Sequence, residues 1–398
     1  MLAELDTARL NVAVKQRANL FTWRGQFTPE FIDYLLESYA RPGQRVLDPF
    51  CGSGTVLQEA ASHRLAGLGL EINPAAYAMA KFFSLSGLSL QLRRDLVGRT
   101  RTLLHHVTAQ HDPELPLFQT STDYRKSATN LLVIARQLLA ATHDRSVKLL
   151  LLLSLFRAES TNNGSLVATV NRAFHFLSDE LLRLPYSERA PVAKLSDARN
   201  AHLAITEETD LIVTSPPYIN VFNYHQNYRA LLELLGFDML KVAHSELGSN
   251  RKHRGNRFLT VIQYCLDIEQ ALHSFAQCLS PNGLLIMVLG RESRVRGIPF
   301  ANSAIVSTLI EQHGAFSRPM SYERVFVNRF GQSIFEDILI AQRIGNPIGT
   351  DLARPLAARV LQRALENAAG DVKENIAEAL SSVPSVCPSP LFDKPTVL

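Results

Sequence analysis

The chain has 398 residues, 46% of them hydrophobic and 20% charged, which is an ordinary balance for a globular protein. Its length allows one large α/β domain with an appended or inserted unit. The net charge of +4 is compatible with a nucleic-acid partner but does not require one. The longest apolar run, Leu149–Phe156, is too short to cross a bilayer, so a membrane-spanning protein is excluded.

The four cysteines, Cys51, Cys265, Cys278 and Cys387, have neither metal-ligand spacing nor the density of a disulfide framework. We therefore expect no metal site and a reducing, cytoplasmic compartment. The first residues lack a basic stretch followed by an apolar core, so no secretory signal is predicted.

In chain order, the first clear helix is predicted to begin at Pro29, with Thr28 in the capping position. An apolar strand at 44–48 then leads into a turn with Gly52 and Gly54, where the backbone can approach a ligand closely. The helix-like run that follows would offer unpaired N–H groups. The third glycine of a dinucleotide fingerprint is absent, because Leu57 occupies its position.

A second predicted strand ends at Glu71, about 20 residues after the glycine turn. An acid at this place commonly binds ribose hydroxyls. Residues 86–190 then show several helix-like runs and few strand signals, which predicts a mainly helical insertion. Its basic residues are interleaved with acids, so a structural cap and a DNA-recognition unit are both consistent with it.

The apolar run Leu211–Val213 predicts a buried strand that ends in Ser215-Pro216-Pro217-Tyr218. Two adjacent prolines fix two φ angles and remove two backbone donors, which would leave nearby carbonyls as outward acceptors. Rigid acceptors beside an aromatic ring suit a flat substrate with an NH₂ group, such as a nucleic-acid base. A merely rigid loop is the alternative interpretation.

Cations are dense in residues 250–257, where a solvated loop and a phosphate-binding segment are both possible. The candidate phosphate contacts are Arg251, Lys252, Arg254 and Arg257. Further strands are predicted at 283–289 and 335–341, with a turn at 281–283, and helices over 351–380. The tail from Ser381 contains four prolines and is expected to be extended or loosely packed.

Taken in order, these motifs resemble the S-adenosylmethionine-dependent DNA amino-methyltransferases over about residues 21–85 and 192–343. Asp-Pro-Phe-Cys-Gly-Ser-Gly-Thr, residues 48–55, resembles their cofactor loop. Ser-Pro-Pro-Tyr resembles the catalytic motif of their cytosine-N4 branch. The resemblance implies an α/β fold, a doubly wound Rossmann-like methyltransferase sheet with a mainly helical insertion, whose ligands lie beyond the carboxyl ends of the strands.

The resemblance also implies S-adenosylmethionine as the cofactor and assigns residues to two sites. The implied catalytic residues are Ser215, Pro216, Pro217 and Tyr218. The implied cofactor-binding residues are Phe27, Thr28, Pro29, Asp48, Phe50, Gly52, Gly54, Thr55, Glu71 and Asp197. Among these, the Phe-Thr-Pro turn would cover the cofactor, Glu71 would bind its ribose, and Asp197 would meet its adenine amino group.

The implied reaction is site-specific methylation of the exocyclic N4 amine of a cytosine flipped out of double-stranded DNA. Phe222 and Tyr224, just after the catalytic motif, are candidates for lining the base pocket. Cytosine-C5 chemistry is disfavoured because the chain has no Pro-Cys dipeptide. An adenine-N6 enzyme, typically with Asp or Asn at position 215, an RNA amino-methyltransferase, and a non-catalytic DNA-binding protein remain alternatives.

We divide the chain into residues 1–85 and 191–345, the two parts of the methyltransferase domain, the insertion 86–190, and a helical and Pro-containing tail, 346–398. The cofactor loop precedes the catalytic loop, whereas many cytosine-N4 enzymes have the reverse order, and the target-recognition region is not located. The resemblance implies a prokaryotic restriction-modification or similar host-marking role at the nucleoid, beside a restriction endonuclease that acts separately if one exists. The oligomeric state stays open.

Overall fold

The computed structural model describes residues 4–12, 15–111, 123–160, 165–220, 223–249, 253–328, 331–349 and 351–393, with only the backbone for 123–130. Its strands are β1 (Arg45–Asp48), β2 (Ala66–Glu71), β3 (Val192–Leu195), β4 (Thr209–Thr214), β5 (Leu279–Gly290), β6 (Ser293–Val295), β7 (Ile298–Phe300), β8 (Met320–Val327) and β9 (Ser333–Gln342).

The α-helices are α1 (Thr7–Leu10), α2 (Pro29–Tyr39), α3 (Thr55–Ser62), α4 (Pro74–Phe82), α5 (Leu90–Thr108), α6 (Asp123–Ala140), α7 (Arg145–Ser160), α8 (Leu166–Arg183), α9 (Ala201–Ala204), α10 (Arg229–Leu234), α11 (Met239–Ser245), α12 (Leu259–Cys278), α13 (Asn302–Gln312), α14 (Ala353–Glu366) and α15 (Gly370–Ser382). None of these helices is long and apolar enough to span a membrane.

Seven strands form one sheet in the order β3-β2-β1-β4-β5-β9-β8. The first five are parallel, and β9 and β8 complete the sheet as antiparallel strands. The strand order reverses between β1 and β4, and a crevice opens beyond the carboxyl ends of strands at such a point. The predicted fold class, a doubly wound Rossmann-like α/β sheet, is confirmed.

Both faces of the sheet are covered, as expected for parallel strands. Successive residues of β4 alternate between two hydrophobic cores. Leu211 and Val213 pack with α2 and α3, whereas Ile212 packs with α12 on the other face. This alternation anchors β4 from both sides, so its last residues hold the following loop rigidly in place.

The predicted insertion is helical, with α5, α6, α7 and α8 forming a separate hydrophobic cluster that also includes α4 and α10. Arg93, a basic residue of the insertion, is 2% exposed and donates hydrogen bonds to backbone carbonyls, among them those of Ser86 and Leu88. Arg93 therefore binds α5 to the segment that precedes it, and its side chain does not face solvent.

Two predictions need correction. Residues 281–283 do not precede the strand but lie inside β5, where its register with β4 shifts and Asn282 has φ +63°. Residues 383–393, the part of the segment after α15 that the structure describes, have no regular secondary structure, as predicted, but they are not loosely packed. Val386 and Ser389 are buried, because the segment is bound to the core by hydrogen bonds described below.

Gly54 tests how tightly the glycine turn is packed. Its φ is +91°, and an added Cβ would lie 2.8 Å from Ala80 Cα. We expect Gly54→Ala to lower the free energy of unfolding by about 2–4 kcal/mol, from backbone strain and overpacking together. Chemical denaturation measures this loss.

The matched control for Gly54→Ala is Gly98→Ala, because Gly98 lies in helix α5 with nothing within 4 Å of an added Cβ. This change should be neutral or stabilising by up to about 1 kcal/mol. Equal stabilities for the two variants would contradict the tight packing of the glycine turn.

Candidate functional site

A cleft opens where the strand order reverses, and its empty space, including the open mouth, measures about 1080 Å³. The cleft is bounded by the ends of β1, β2, β3 and β4 and by the segment before α2. One hydrogen bond joins the two central strand ends, from Thr214 Oγ1 to Asp48 Oδ1, at 2.6 Å.

Asp48 is 1% exposed and also accepts a hydrogen bond from the backbone N–H of Phe50 at 3.1 Å. Burial raises the pKa of its carboxyl to about 7, and the negative charge of Glu71 adds to this rise. A nearby cation would favour the ionised form of Asp48. The residue therefore both joins two strands and responds to charge in the cleft.

Glu71 connects the end of β2 to the glycine loop. Its Oε2 accepts the N–H of Gly52 at 2.9 Å, and its Oε1 accepts the N–H of Asn73 at 2.8 Å. Desolvation in the cleft raises the pKa of this carboxyl to about 7, although both N–H donors oppose the rise. Each oxygen keeps a lone pair beyond these two bonds, so the carboxylate can still accept a hydroxyl donor.

Trp23 covers the glycine loop. Its ring lies so close to Gly52 that an added Cβ there would be 3.3 Å from Trp23 Cδ1. The indole stacks on Tyr224 with ring centroids 5.7 Å apart and an interplanar angle of 18°. Both rings line the cleft. This stacked pair joins the segment before α2 to the segment after Ser215–Tyr218, which we name the catalytic loop after its predicted role.

The ring of Tyr218 packs against Gly290, where a side chain would leave it no room. An added Cβ at Gly290 would lie 2.6 Å from Tyr218 Cε2, so the aromatic ring rests directly on the β5 backbone. The Tyr218 hydroxyl lies 3.3 Å from Ser215 Oγ. Burial raises the pKa of this phenol, which keeps the ring neutral.

Behind Tyr218 lies a buried ion pair. Glu336 pairs with Gly290 across the sheet, and its carboxylate lies near enough to the Tyr218 hydroxyl for the two groups to interact electrostatically. Arg324 Nη1 donates to Glu336 Oε2 at 2.8 Å, and Arg324 Nη2 lies 3.4 Å from Thr28 Oγ1. The antiparallel edge of the sheet thus supports the catalytic loop from behind.

Glu246 is a third carboxylate that lines the cleft. Its two oxygens lie 2.7 Å from the backbone nitrogen and 2.9 Å from Nδ1 of His225, which is fully buried. This contact fixes the segment that follows the catalytic loop. With Asp48, Glu71 and Asp197, it gives the cleft lining four carboxyl groups, which suit a positively charged ligand.

Most of the predicted residues meet in this one cleft. Those that line it are Phe27, Asp48, Phe50, Gly52, Thr55, Glu71, Asp197, Ser215, Pro216, Pro217 and Tyr218. Three predicted cofactor residues are not among the lining residues. Thr28 and Pro29 begin α2, and the Thr28 side chain makes no capping bond but meets Arg324 instead. Gly54 packs against α4.

Asp197 lines the cleft, and its carboxylate is bound by other parts of the chain. Its Oδ1 accepts from the backbone N–H and Nε of Arg199, and its Oδ2 accepts from Arg199 Nη2 and from the N–H of Phe392. A carboxylate has about four lone-pair positions, and these four donors occupy them. The predicted contact of Asp197 with an adenine amino group stays a prediction.

The predicted phosphate contacts lie away from the cleft or outside the described residues. Arg251 and Lys252, and also Phe222, fall outside the described residues. Arg254 and Arg257 are exposed on the segment leading into α12, and neither lines the cleft. Their predicted contact with DNA stays a prediction.

Sequence reasoning missed several residues of the cleft, among them Trp23, Gln26, Asn73 and Glu246. Trp23 is the single tryptophan of the chain and stands four residues before Phe27, which is a signal that could have been used. Gln26 Oε1 accepts a hydrogen bond from Ser53 Oγ at 2.8 Å, a contact with no local signature in sequence.

The donor set of the cleft fits S-adenosylmethionine. The cofactor carries a cationic sulfonium, which the carboxyl groups would attract, and ribose hydroxyls, which Glu71 can accept. Asn73 adds a buried side-chain nitrogen, Nδ2, which has no hydrogen-bond partner in the part of the chain that the structure describes. A ligand acceptor would satisfy this donor.

Comparison with known proteins supports the same family resemblance. A protein-family model described as DNA methylase matches residues 7–82, which contain the segment before α2, the glycine loop and Glu71. The Type II methyltransferase M.MjaII of Methanocaldococcus jannaschii is 33% identical over 52 residues, which are 13% of this chain and 10% of that protein. The matched residues are thus similar to DNA methylases, and this chain spans about a tenth of the length of that relative.

Solved structures with a partial likeness include TrmN from Thermus thermophilus, 14% identical with a TM-score of 0.34 over 81% of this chain and 50% of that one. Another is a SAM-dependent methyltransferase from Methanosarcina mazei, 12% identical with a TM-score of 0.33 over 78% of this chain and 97% of that one. These scores are too low to support any statement about substrate.

The pKa values of Asp48 and Glu71, both raised to about 7, predict a pH-dependent cofactor affinity. Because a sulfonium favours ionised carboxylates, affinity for S-adenosylmethionine should fall by up to about tenfold from pH 8 to pH 6 as they take up protons. Titration calorimetry at both pH values measures this.

S-adenosylhomocysteine is the matched control ligand, since it lacks the sulfonium charge. Its affinity should change less over the same pH range. If the two ligands weakened in parallel as the pH falls, Asp48 and Glu71 would not sense the sulfonium.

Proposed function

We propose that this protein is a site-specific DNA methyltransferase that transfers a methyl group from S-adenosylmethionine to the exocyclic N4 amine of a flipped cytosine. The main support is that Ser215-Pro216-Pro217-Tyr218 faces the same cleft as Gly52 and Glu71. The hydrogen bond between Thr214 and Asp48 keeps the two loops at a fixed separation. Methyl transfer needs such proximity and orientation more than any other factor.

The amine must first become more nucleophilic, because its lone pair is delocalised into the base. Acceptors at Ser215, from the hydroxyl or the carbonyl, and at the Pro216 carbonyl would hydrogen-bond the NH₂ group. Such bonds favour a pyramidal nitrogen whose lone pair points away from the ring. When bound, S-adenosylmethionine supplies an electrophilic methyl group on a positively charged sulfur. The surplus amine proton leaves to water, so the loop needs no strongly shifted base.

Tyr218 would stack on the target base. Its ring is buried against Gly290, and its hydroxyl lies 3.3 Å from Ser215 Oγ. A base inside a duplex cannot reach this ring, so the mechanism requires the target nucleotide to be flipped out. A fixed ring provides a preformed stacking surface and lowers the ordering cost of that step.

Serine at position 215 favours cytosine N4 as the methylated atom. In the family that this chain resembles, the adenine-N6 enzymes typically carry Asp or Asn at this position of the motif. The matched family description covers DNA methylation without separating these two amines. Adenine-N6 is therefore the second candidate. Double-stranded DNA is the proposed partner, in the cytoplasm of a prokaryote, and a separately acting restriction endonuclease is a compatible companion.

The decisive experiment is radiolabelled methyl transfer from S-adenosylmethionine to unmethylated genomic DNA, followed by nucleoside mass spectrometry. N4-methylcytosine would support the proposal, and sequencing would then identify the recognition site. N6-methyladenine would agree with the proposed cofactor and cleft but would identify adenine as the target base. Label in RNA alone, with bound cofactor, would overturn the DNA assignment.

Gly290→Ala should displace the Tyr218 ring, because the new Cβ would lie 2.6 Å from Tyr218 Cε2. We expect at least about a hundredfold loss of kcat with cofactor affinity within about threefold, since the orientation of a reacting group is lost and the glycine loop is untouched. Tyr218→Ala should show the same pattern.

The control for Gly290→Ala is Gly345→Ala, an exposed position where an added Cβ would make only an ordinary contact, 3.5 Å from the Gly314 carbonyl oxygen, and it should keep full activity. Loss of cofactor binding in Tyr218→Ala would contradict the stacking role.

Ser215→Ala should lower kcat by about tenfold and leave detectable turnover, because the hydroxyl contributes roughly one hydrogen bond and the backbone carbonyls remain. Steady-state kinetics at saturating S-adenosylmethionine measures this change. An unchanged kcat would remove the Ser215 hydroxyl from the mechanism and leave the carbonyls as the only acceptors.

A further inference from the structure

A buried arginine stands beside the cofactor cleft at the end of β3. Arg199 is 3% exposed and lies between two buried carboxylates, donating from Nε and Nη2 to Asp197 and from Nη1 to Asp267. The remaining bonds of this guanidinium go to two backbone carbonyls, those of Ser389 at 2.6 Å and Pro390 at 2.8 Å. All five N–H donors of the guanidinium are thereby satisfied.

Residues 389–392, which we name the carboxy-terminal strap, also satisfy the two carboxylates. The backbone N–H and the Oγ of Ser389 donate to Asp267 at 2.8 Å and 2.5 Å. The backbone N–H of Phe392 donates to Asp197 Oδ2 at 2.9 Å. The strap therefore supplies three donors and two acceptors to one buried cluster.

Without the strap, this cluster would lose partners it cannot replace internally. Two guanidinium N–H groups of Arg199 and at least one lone pair on each carboxylate would be left unsatisfied. Buried charged groups that lose hydrogen bonds rearrange or admit water. The affected turn begins with Asp197 and Ala198, and both line the cofactor cleft. A rearranged turn would change the shape of that wall.

We propose that the carboxy-terminal strap is a positioning element of the cofactor site. It fixes the turn at Asp197–Asn200, so that one wall of the cleft is formed before the cofactor binds. Asp197 then acts as a structural anchor whose lone pairs are filled by Arg199 and Phe392, and it does not contact the cofactor through its carboxylate. This inference rests on the proposed function, because it names the cleft as a cofactor site.

The test compares the full chain with a chain ending after Val383. The shortened chain should show at least a tenfold rise in KM for S-adenosylmethionine, with kcat at saturating cofactor within about threefold and KM for DNA unchanged. A peptide of residues 384–393 added in excess should restore the cofactor KM. A purely structural role would instead lower the melting temperature and the active fraction at unchanged KM.

A matched pair of full-length variants tests the proposal even if the shortened chain does not fold. Phe392→Pro removes both the ring and the N–H that binds Asp197, whereas Phe392→Ala removes the ring and keeps that N–H. Only Phe392→Pro should raise the cofactor KM by more than about threefold, since only it leaves an Asp197 lone pair unsatisfied. Equal KM values for the two variants would overturn the proposal.

Binding of S-adenosylhomocysteine, followed by the fluorescence of the single tryptophan, distinguishes failure of the proposed function from failure of the strap proposal. No binding to the full chain would refute the proposed function itself. Binding to the full chain and equally tight binding to the shortened chain would refute the strap proposal alone. Tighter binding to the shortened chain would also refute it, since the strap would then compete with the cofactor.

Discussion

The buried hydrogen bond between Thr214 Oγ1 and Asp48 Oδ1 holds the centre of this structure together. It crosses the point where the strand order reverses, and it joins the strand before the glycine loop to the strand before the catalytic loop. Because both groups are buried, removing either one would leave the other without a hydrogen-bond partner. An unsatisfied buried polar group costs more free energy than the hydrogen bond itself contributes. The relative position of the two loops is therefore fixed by the sheet.

Close backbone approaches define the walls of the cleft. Gly52 leaves room for the ring of Trp23, and Gly290 leaves room for the ring of Tyr218. At Gly248 an added Cβ would lie 2.2 Å from the Tyr218 carbonyl oxygen, so the following segment also lies directly on the catalytic loop. Aromatic surfaces thus rest on backbone, where they have little freedom to move.

Charge is distributed unevenly around the site. The cleft itself contains carboxyl groups whose pKa values are raised by burial, with Asp48 and Glu71 both at about 7. Arg324 is paired with Glu336, and Arg199 with Asp197 and Asp267, so these two arginines brace the walls of the cleft. Arg24 also lines the cleft. The lining holds more acidic than basic side chains, which suits a cationic cofactor.

The sequence by itself determined the local features: the fold class, the glycine loop, the acid at the end of β2 and the catalytic loop after β4. These features were predictable because strand periodicity and the backbone limits of glycine and proline act over a few residues. The two prolines of the catalytic loop act in this local way, and so does the spacing from Gly52 to Glu71.

The tertiary structure alone decided the contacts between distant segments. Trp23 stacks on Tyr224, the Tyr218 ring rests on Gly290, and Asp197 is bound by Phe392, 195 residues further along the chain. No periodicity or motif encodes such pairs, because they depend on which surfaces the folded sheet and helices bring together. For this reason the sequence predicted the position of Asp197 at the edge of the sheet but not the hydrogen bonds that its carboxylate accepts from Arg199 and Phe392.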